Sequence, residues 1–271
     1  PNGAGKTTTL KMLSGLLHPT SGEARVLGFV PWRREAAFLR QITLVMGQKN
    51  QLIWDIPAMD TFLMNQAIYG IPDREFRATL DEFTEILGLE GLYDKPVRNL
   101  SLGERMKCEL VAALLHKPRV LFLDEPTLGL DVTMQSRIRE FIAAYNRRHH
   151  ACVLLTSHYM ADIAALCRRV IIIHNGTIMF DGGLDALVEQ IAPFKLLRVA
   201  FSEPPAAPVA DGLGTVVSRE EGKLLLRVPK EETPHVTARL LSEYPVADLT
   251  VEDPPIEDVI DRVFQEGVRS S

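Results

Sequence analysis

The sequence predicts an α/β fold: a parallel sheet carrying a phosphate-binding loop and a helical insertion, followed by a small α+β domain. Three observations predict it. Residues 1–8, Pro-Asn-Gly-Ala-Gly-Lys-Thr-Thr, match the pattern Gly, four residues, Gly, Lys, then Ser or Thr, from its second position onward. Val120 to Glu125 reads Val-Leu-Phe-Leu-Asp-Glu, an apolar run of buried-strand type with two acids at its carboxyl end. Near residue 194 the composition changes, and eight of the 17 prolines fall between Pro204 and Pro255.

Taken in order, Gly5 to Leu17 reads as a helix opening from the loop, with Leu10, Leu13, Leu16 and Leu17 at helical spacing. His18-Pro19-Thr20-Ser21-Gly22 ends it. Short strands are expected around Ala24–Leu27 and Ile42–Met46. From Trp54 to Leu115 the pattern is helical, punctuated by Pro57, Pro72 and Pro96. After the strand Val120–Leu123 come a helix from Gln135 to Asn146, a strand from Cys152 to Thr156 and a helix from Met160 to Cys167. Val170–His174 and Thr177–Asp181 read as a hairpin around Asn175-Gly176. Beyond residue 194, Lys195–Phe201, Thr215–Ser218 and Lys223–Val228 alternate as strands, with Glu220-Glu221-Gly222 as a turn. Thr233–Glu243 and Ile256–Phe264 read as helices, with a strand at Val246–Val251 between them.

The composition excludes some functions. Apolar residues make up 46% and charged residues 24%, ordinary for a globular chain. The net charge of −5 gives no footprint for nucleic acid, which is not expected as a partner. No apolar run approaches the ~18–20 residues of a membrane span. Cys108, Cys152 and Cys167 have no metal spacing and suit a reduced, cytoplasmic compartment as packing residues.

The loop names its ligand. Backbone amides at a helix N-terminus favour phosphate, glycines allow close approach, a lysine neutralises phosphate oxygens and a hydroxyl suits Mg²⁺. Asn2, Gly3, Ala4, Gly5, Lys6, Thr7 and Thr8 are therefore the candidate residues for binding a nucleoside triphosphate, with Thr7 also a metal ligand. Asp124 is the second candidate ligand for Mg²⁺, and Glu125 the candidate base for the attacking water. The pattern calls for one further glycine ahead of Pro1 and for a strand leading into it. A chain without that segment is expected to be of low stability and to bind ATP weakly.

With these two motifs the chain resembles the ATP-binding subunits of ABC transporters. Four more stretches carry the resemblance: Leu100-Ser101-Leu102-Gly103-Glu104 is similar to the signature motif, Gln48 to the Q-loop glutamine, Leu128-Gly129-Leu130-Asp131 to the D-loop, and Thr156-Ser157-His158 to the switch histidine. Leu102 and Glu104 depart from the usual Gly and Gln. The resemblance covers roughly residues 1–190. It implies a P-loop NTPase (ABC ATPase) fold over 1–194, with an inserted helical subdomain at about 54–115. The accessory domain, 195–271, suits a ferredoxin-like α+β sandwich.

The resemblance also implies roles. Two nucleotide-binding domains, identical or not, would dimerise head to tail, so that Ser101 and Gly103 bind the γ-phosphate held by the partner. Glu125 and His158 would be catalytic. Gln48 would sense both the water and Mg²⁺, and Asp131 would work across the dimer. Segment 51–63, with Trp54, Ile56, Met59, Phe62 and Leu63, would meet a separate membrane permease, which places the chain peripherally on the inner face of the cell membrane. The short spacing from Gln48 to Ser101 and the appended domain resemble the exporter branch. An importer ATPase, and a soluble ABC ATPase acting on ribosomes or DNA, remain as alternatives.

Overall fold

The computed structural model describes residues 1–47, 51–203, 212–256, 258–260 and 263. It forms two compact units, 1–167 and 168–271, taken separately below.

The first unit is built on a parallel sheet in the order β1-β2-β3, from Ile42–Met46, Val120–Asp124 and Cys152–Thr156. Ile42 lies beside Val120, and Val120 beside Cys152. A strand covered on both faces needs apolar residues at every position, and β2 shows why. Val120 and Phe122 join Leu10, Phe38 and Ile42 in one cluster, whereas Leu121 and Leu123 join the larger core built from helices. Helices α1 (Lys6–Leu13) and α2 (Ala36–Leu39) belong to the first cluster.

Helix α1 is shorter than the expected Gly5–Leu17. Gly15 turns to φ 78, its amide donates to Met12 O, and the Leu16 amide donates to Lys11 O. That pair of bonds is a Schellman stop. It leaves Leu16 and Leu17 outside the helix and exposed. The expected strand at Ala24–Leu27 is reduced to one bridge, Val26 with Phe29, because Leu27 and Gly28 both turn to positive φ.

The helical insertion forms as expected. Helices α3 (Ala58–Tyr69) and α4 (Asp73–Leu87) each begin directly after a proline, Pro57 or Pro72, and each ends at a left-handed glycine. Proline cannot continue a helix toward its N-terminus, so the breakers set the register. On α4, Phe76, Leu80, Phe83 and Leu87 share one buried face, and Phe83 meets Phe141 edge to face at 5.2 Å. Phe141 lies on α6 (Val132–His149), longer than the expected Gln135–Asn146. Helix α5 (Leu102–Leu114) buries every residue from Met106 to Leu114. Helix α7 (Met160–Leu166) closes the unit.

In the second unit, β4 (Arg169–His174) and β5 (Thr177–Gly183) pair as the expected hairpin, with Asn175 and Gly176 at φ 47 and 75. Helix α8 (Leu184–Ile191) follows, an element beyond those expected from the sequence. An antiparallel sheet then runs β7-β8-β6-β9, from β6 (Phe194–Phe201), β7 (Thr215–Glu220), β8 (Lys223–Pro229) and β9 (Val246–Glu252). That is the strand order of a ferredoxin-like sheet. Helix α9 (Thr233–Glu243) joins β8 to β9, and Val236 and Leu240 pack against Leu197, Val199, Leu224 and Leu226. Residues 256, 258–260 and 263 are helical, and Phe264 of the expected last helix lies outside the described residues.

Candidate nucleotide site

The site gathers at the carboxyl ends of β2 and β3, where α1 begins. Gly3 and Gly5 stand at φ 77 and 108, and no atom lies within 4 Å of where a Cβ would be at either. Gly5 is the N-cap of α1 and offers no side chain there, so the first amides of the helix face an open cradle. Ala4 is buried, while Asn2, Gly3 and Thr8 are exposed. The Lys6 ammonium donates to Pro1 O at 2.8 Å, folded over the same loop.

Two hydroxyls hold Asp124. Thr7 Oγ1 donates to Oδ2 at 2.8 Å, and Thr156 Oγ1 donates to Oδ1 at 2.6 Å. Thr7 and Asp124 thus present neighbouring oxygens, the donor type a hard divalent cation takes. Among the described residues no three His, Cys, Asp or Glu side chains form a metal cluster. A Mg²⁺ ion here would depend on Thr7, Asp124 and the nucleotide's own phosphates, which suits its reluctance to shed water.

Glu125 adopts φ 54, a left-handed conformation rare for a residue with a side chain and typical of functional turns. Its amide donates to Thr156 O at 3.0 Å, fixing the turn to β3. Glu125 Oε1 lies 2.8 Å from His158 Nε2. A carboxylate only accepts, so Nε2 carries the proton of this bond. The structure thus brings Thr7 to Asp124 and His158 to Glu125.

Gly47, immediately before Gln48, was not singled out by sequence. Its amide donates to Asp124 O at 2.9 Å, and a Cβ there would stand 2.1 Å from Glu125 O. Only a residue without a side chain fits so near the Asp124-Glu125 backbone. Gln48 itself lies outside the described residues. The chain after it is gripped by Glu109, a buried acid on α5 that accepts from Gln51 N at 2.8 Å and Leu52 N at 3.2 Å. Burial pushes the Glu109 carboxyl above the usual range, and these two amide bonds act against that shift. Of the apolar residues expected to face a partner in segment 51–63, Phe62 is in the core, while Trp54 and Leu63 are about half exposed.

Ser101 and Gly103 stand at the head of α5, with no hydrogen bond to residues 1–8 among the described residues. Ser101 is the N-cap. Its Oγ accepts from Glu104 N at 3.3 Å, while the Glu104 carboxylate accepts from Ser101 N at 2.8 Å. Glu104 completes a capping box, a part that Gln could also play, and the backbone bond from Ser101 holds its carboxyl below the usual range. The Ser101 hydroxyl still has its own proton to donate. Leu102, the other departure, packs toward Gly129 of the D-loop-like turn. Asp131 caps α6, accepting from Met134 N at 2.9 Å.

The arrangement has counterparts. Residues 1–128 match the family described as ABC transporter, and residues 193–252 match the family described as EvrA-like ABC transporter, C-terminal domain. The chain is 34% identical over 189 residues to the ABC transporter ATP-binding protein NatA of Bacillus subtilis (strain 168), covering 70% of this chain and 76% of that one. It is 36% identical over 225 residues to the Nod factor export ATP-binding protein I of Burkholderia pseudomallei (strain 1710b), covering 82% of this chain and 71% of that one. A solved structure of an ATP-binding subunit of an ABC transporter superposes with a TM-score of 0.64 at 27% identity, over 70% of this chain and 78% of that one. The chain belongs to the family of ATP-binding subunits of ABC transporters.

Proposed function

We propose that the chain hydrolyses ATP bound with Mg²⁺ and that this drives export through a separate permease. The observation that carries the reading is the pair of 2.8 Å contacts, Thr7 to Asp124 and Glu125 to His158, on neighbouring strand ends. The loop amides and Lys6 bind the β- and γ-phosphates. Thr7 and Asp124 would hold Mg²⁺, which when bound would neutralise charge on the phosphate oxygens. Glu125 accepts the proton of the attacking water, and His158 holds that carboxylate in line. By its resemblance to the Q-loop glutamine, Gln48 would sense the water and the ion.

Ser101 and Gly103 bind the γ-phosphate of a second nucleotide-binding domain, with Asp131 beside them. The hydroxyl proton that the capping box leaves free supports this role for Ser101. We assign residues 1–194 to the ATPase domain and 195–271 to an accessory domain. The start of β6 at Phe194 and the family match from residue 193 support that division. No helix among the described residues is long and apolar enough to cross a membrane. On this reading the transport path belongs to a separate permease, with this chain peripheral on the inner membrane face. Export is favoured by the similarity to a Nod factor export ATP-binding protein.

Glu125→Gln tests the chemistry. It should lower kcat for ATP hydrolysis by about 10²- to 10⁴-fold and leave ATP binding intact; unchanged hydrolysis overturns the assignment of the base. Purification from detergent-solubilised membranes tests the transport role. A multi-span membrane protein in near-equal amount is expected, and ribosomes or DNA complexes in its place would overturn it.

A further inference from the structure

We propose that Asp162 is a positioning residue for hydrolysis, setting the separation of Glu125 and His158 from beneath. The proposal rests on the reading of those two residues as the hydrolytic pair. Asp162 is fully buried and, among the described residues, forms no hydrogen bond to either of them. Its Oδ1 accepts from Arg139 of α6 at 3.0 Å, which compensates the buried charge. Its Oδ2 accepts two hydroxyl protons, from Thr127 at 2.5 Å and from Ser157 at 2.6 Å.

Those two hydroxyls belong to the two turns that present the pair. Thr127 lies two residues after Glu125 and is itself buried. Ser157 immediately precedes His158, and its Oγ also accepts the Tyr159 amide at 2.9 Å. The Ser157 hydroxyl therefore closes the backbone around His158 and ties that closed turn to Asp162. One carboxylate oxygen is common to the Glu125 turn and the His158 turn. Moving either turn off it would lengthen the 2.8 Å contact between Nε2 and Oε1, and displacement of a reacting group by about 1 Å can cost 10²-fold in rate.

A buried ion pair can also serve the fold alone, so the test must separate the two roles. Asp162→Asn keeps an acceptor for Arg139 but faces both hydroxyls with an amide. Ser157→Ala removes one tie and leaves no buried charge uncompensated, so it remains readable if the Asn variant fails to fold. In the full protein both should lower kcat by about 10- to 100-fold while the Kd for ATP stays within about threefold. NMR of histidine-labelled protein gives the second readout. The ring resonance of His158, identified by its loss in His158→Gln, should move in both variants in the direction seen in Glu125→Gln. An unchanged kcat, a parallel loss of ATP binding, or an unmoved His158 resonance overturns the positioning role. If Glu125→Gln hydrolyses ATP like wild type, the reading of the pair fails instead, and the proposal falls with it.

Discussion

At Gly47 a single hydrogen stands where any other residue would place a methyl group against Glu125 O. The end of β1 is thereby held to the turn that carries Asp124 and Glu125, just where Gln48 begins. Gly47→Ala should cost about 1–3 kcal/mol of stability through overpacking and, by displacing the Glu125 turn, about 10- to 100-fold in kcat. Denaturant melts and steady-state hydrolysis on the same preparation check this; wild-type kcat in the variant would show that the approach is only structural. Other residues at this scale carry two duties. Ser101 and Asp131 were legible as motif members, yet each also caps a helix in its own chain. Those caps could be anticipated locally, since Ser-x-x-Glu spells a capping box. The bonds of Thr156 to Asp124, of Asp162 to Thr127 and of Glu109 to Gln51 could not be, because they span 32, 35 and 58 residues.

Among the elements, the helical insertion was the most legible part. Its prolines mark helix starts, and α4 has an apolar stripe that one face of a helix requires. Helix α5 was harder to read, for it buries Lys107 and Glu109 among apolar neighbours and so breaks the expected polarity pattern. The junction between α5 and β1 holds a testable group. His116 stacks on Tyr69 with ring centroids 3.8 Å apart, its Nε2 donates to Ile42 O at 3.3 Å, and its Nδ1 is buried with no partner among the described residues. Burial pushes its pKa down to about 4, from an ordinary value of 6.5. In the unfolded chain His116 takes up a proton as pH falls through 6.5, whereas in the folded protein it resists until about 4. Stability is therefore full above pH 6.5 and is lost on acidification across that window, by about 3 kcal/mol at most. His116→Phe, which keeps the stacked ring, should lose less stability than wild type between pH 6.5 and 4 in urea melts. Parallel losses in the two proteins would show that His116 is not a source of the acid sensitivity.

For the whole molecule the consequence is association. On the proposed reading the loop and its acids form one half-site and the head of α5 belongs to another, so a complete clamp on ATP would need a second chain. Glu125→Gln with ATP and Mg²⁺ should shift to a dimer by light scattering, and the further change Ser101→Arg should return it to monomer. A monomer at every concentration with ATP would mean that the two half-sites do not meet. Where the dimer does form, ATP would stabilise the closed pair over the separate chains, a population shift set by differential affinity.

The sequence by itself determined the ligand class, the strand that carries Asp124 and Glu125, the prolines that divide the insertion and the hairpin at Asn175-Gly176. All of these are encoded within a few neighbouring residues, through backbone preference, apolar period or a contiguous motif. The tertiary structure alone decided that Thr156 and Thr7 share Asp124, that Gly47 must have no side chain, that Glu109 grips the chain after Gln48, and that one buried oxygen of Asp162 ties together the turns that follow Glu125 and precede His158. These depend on which strand ends and helix ends become neighbours. Parallel strands joined through long crossovers bring together residues whose separation in sequence carries no local signal of contact.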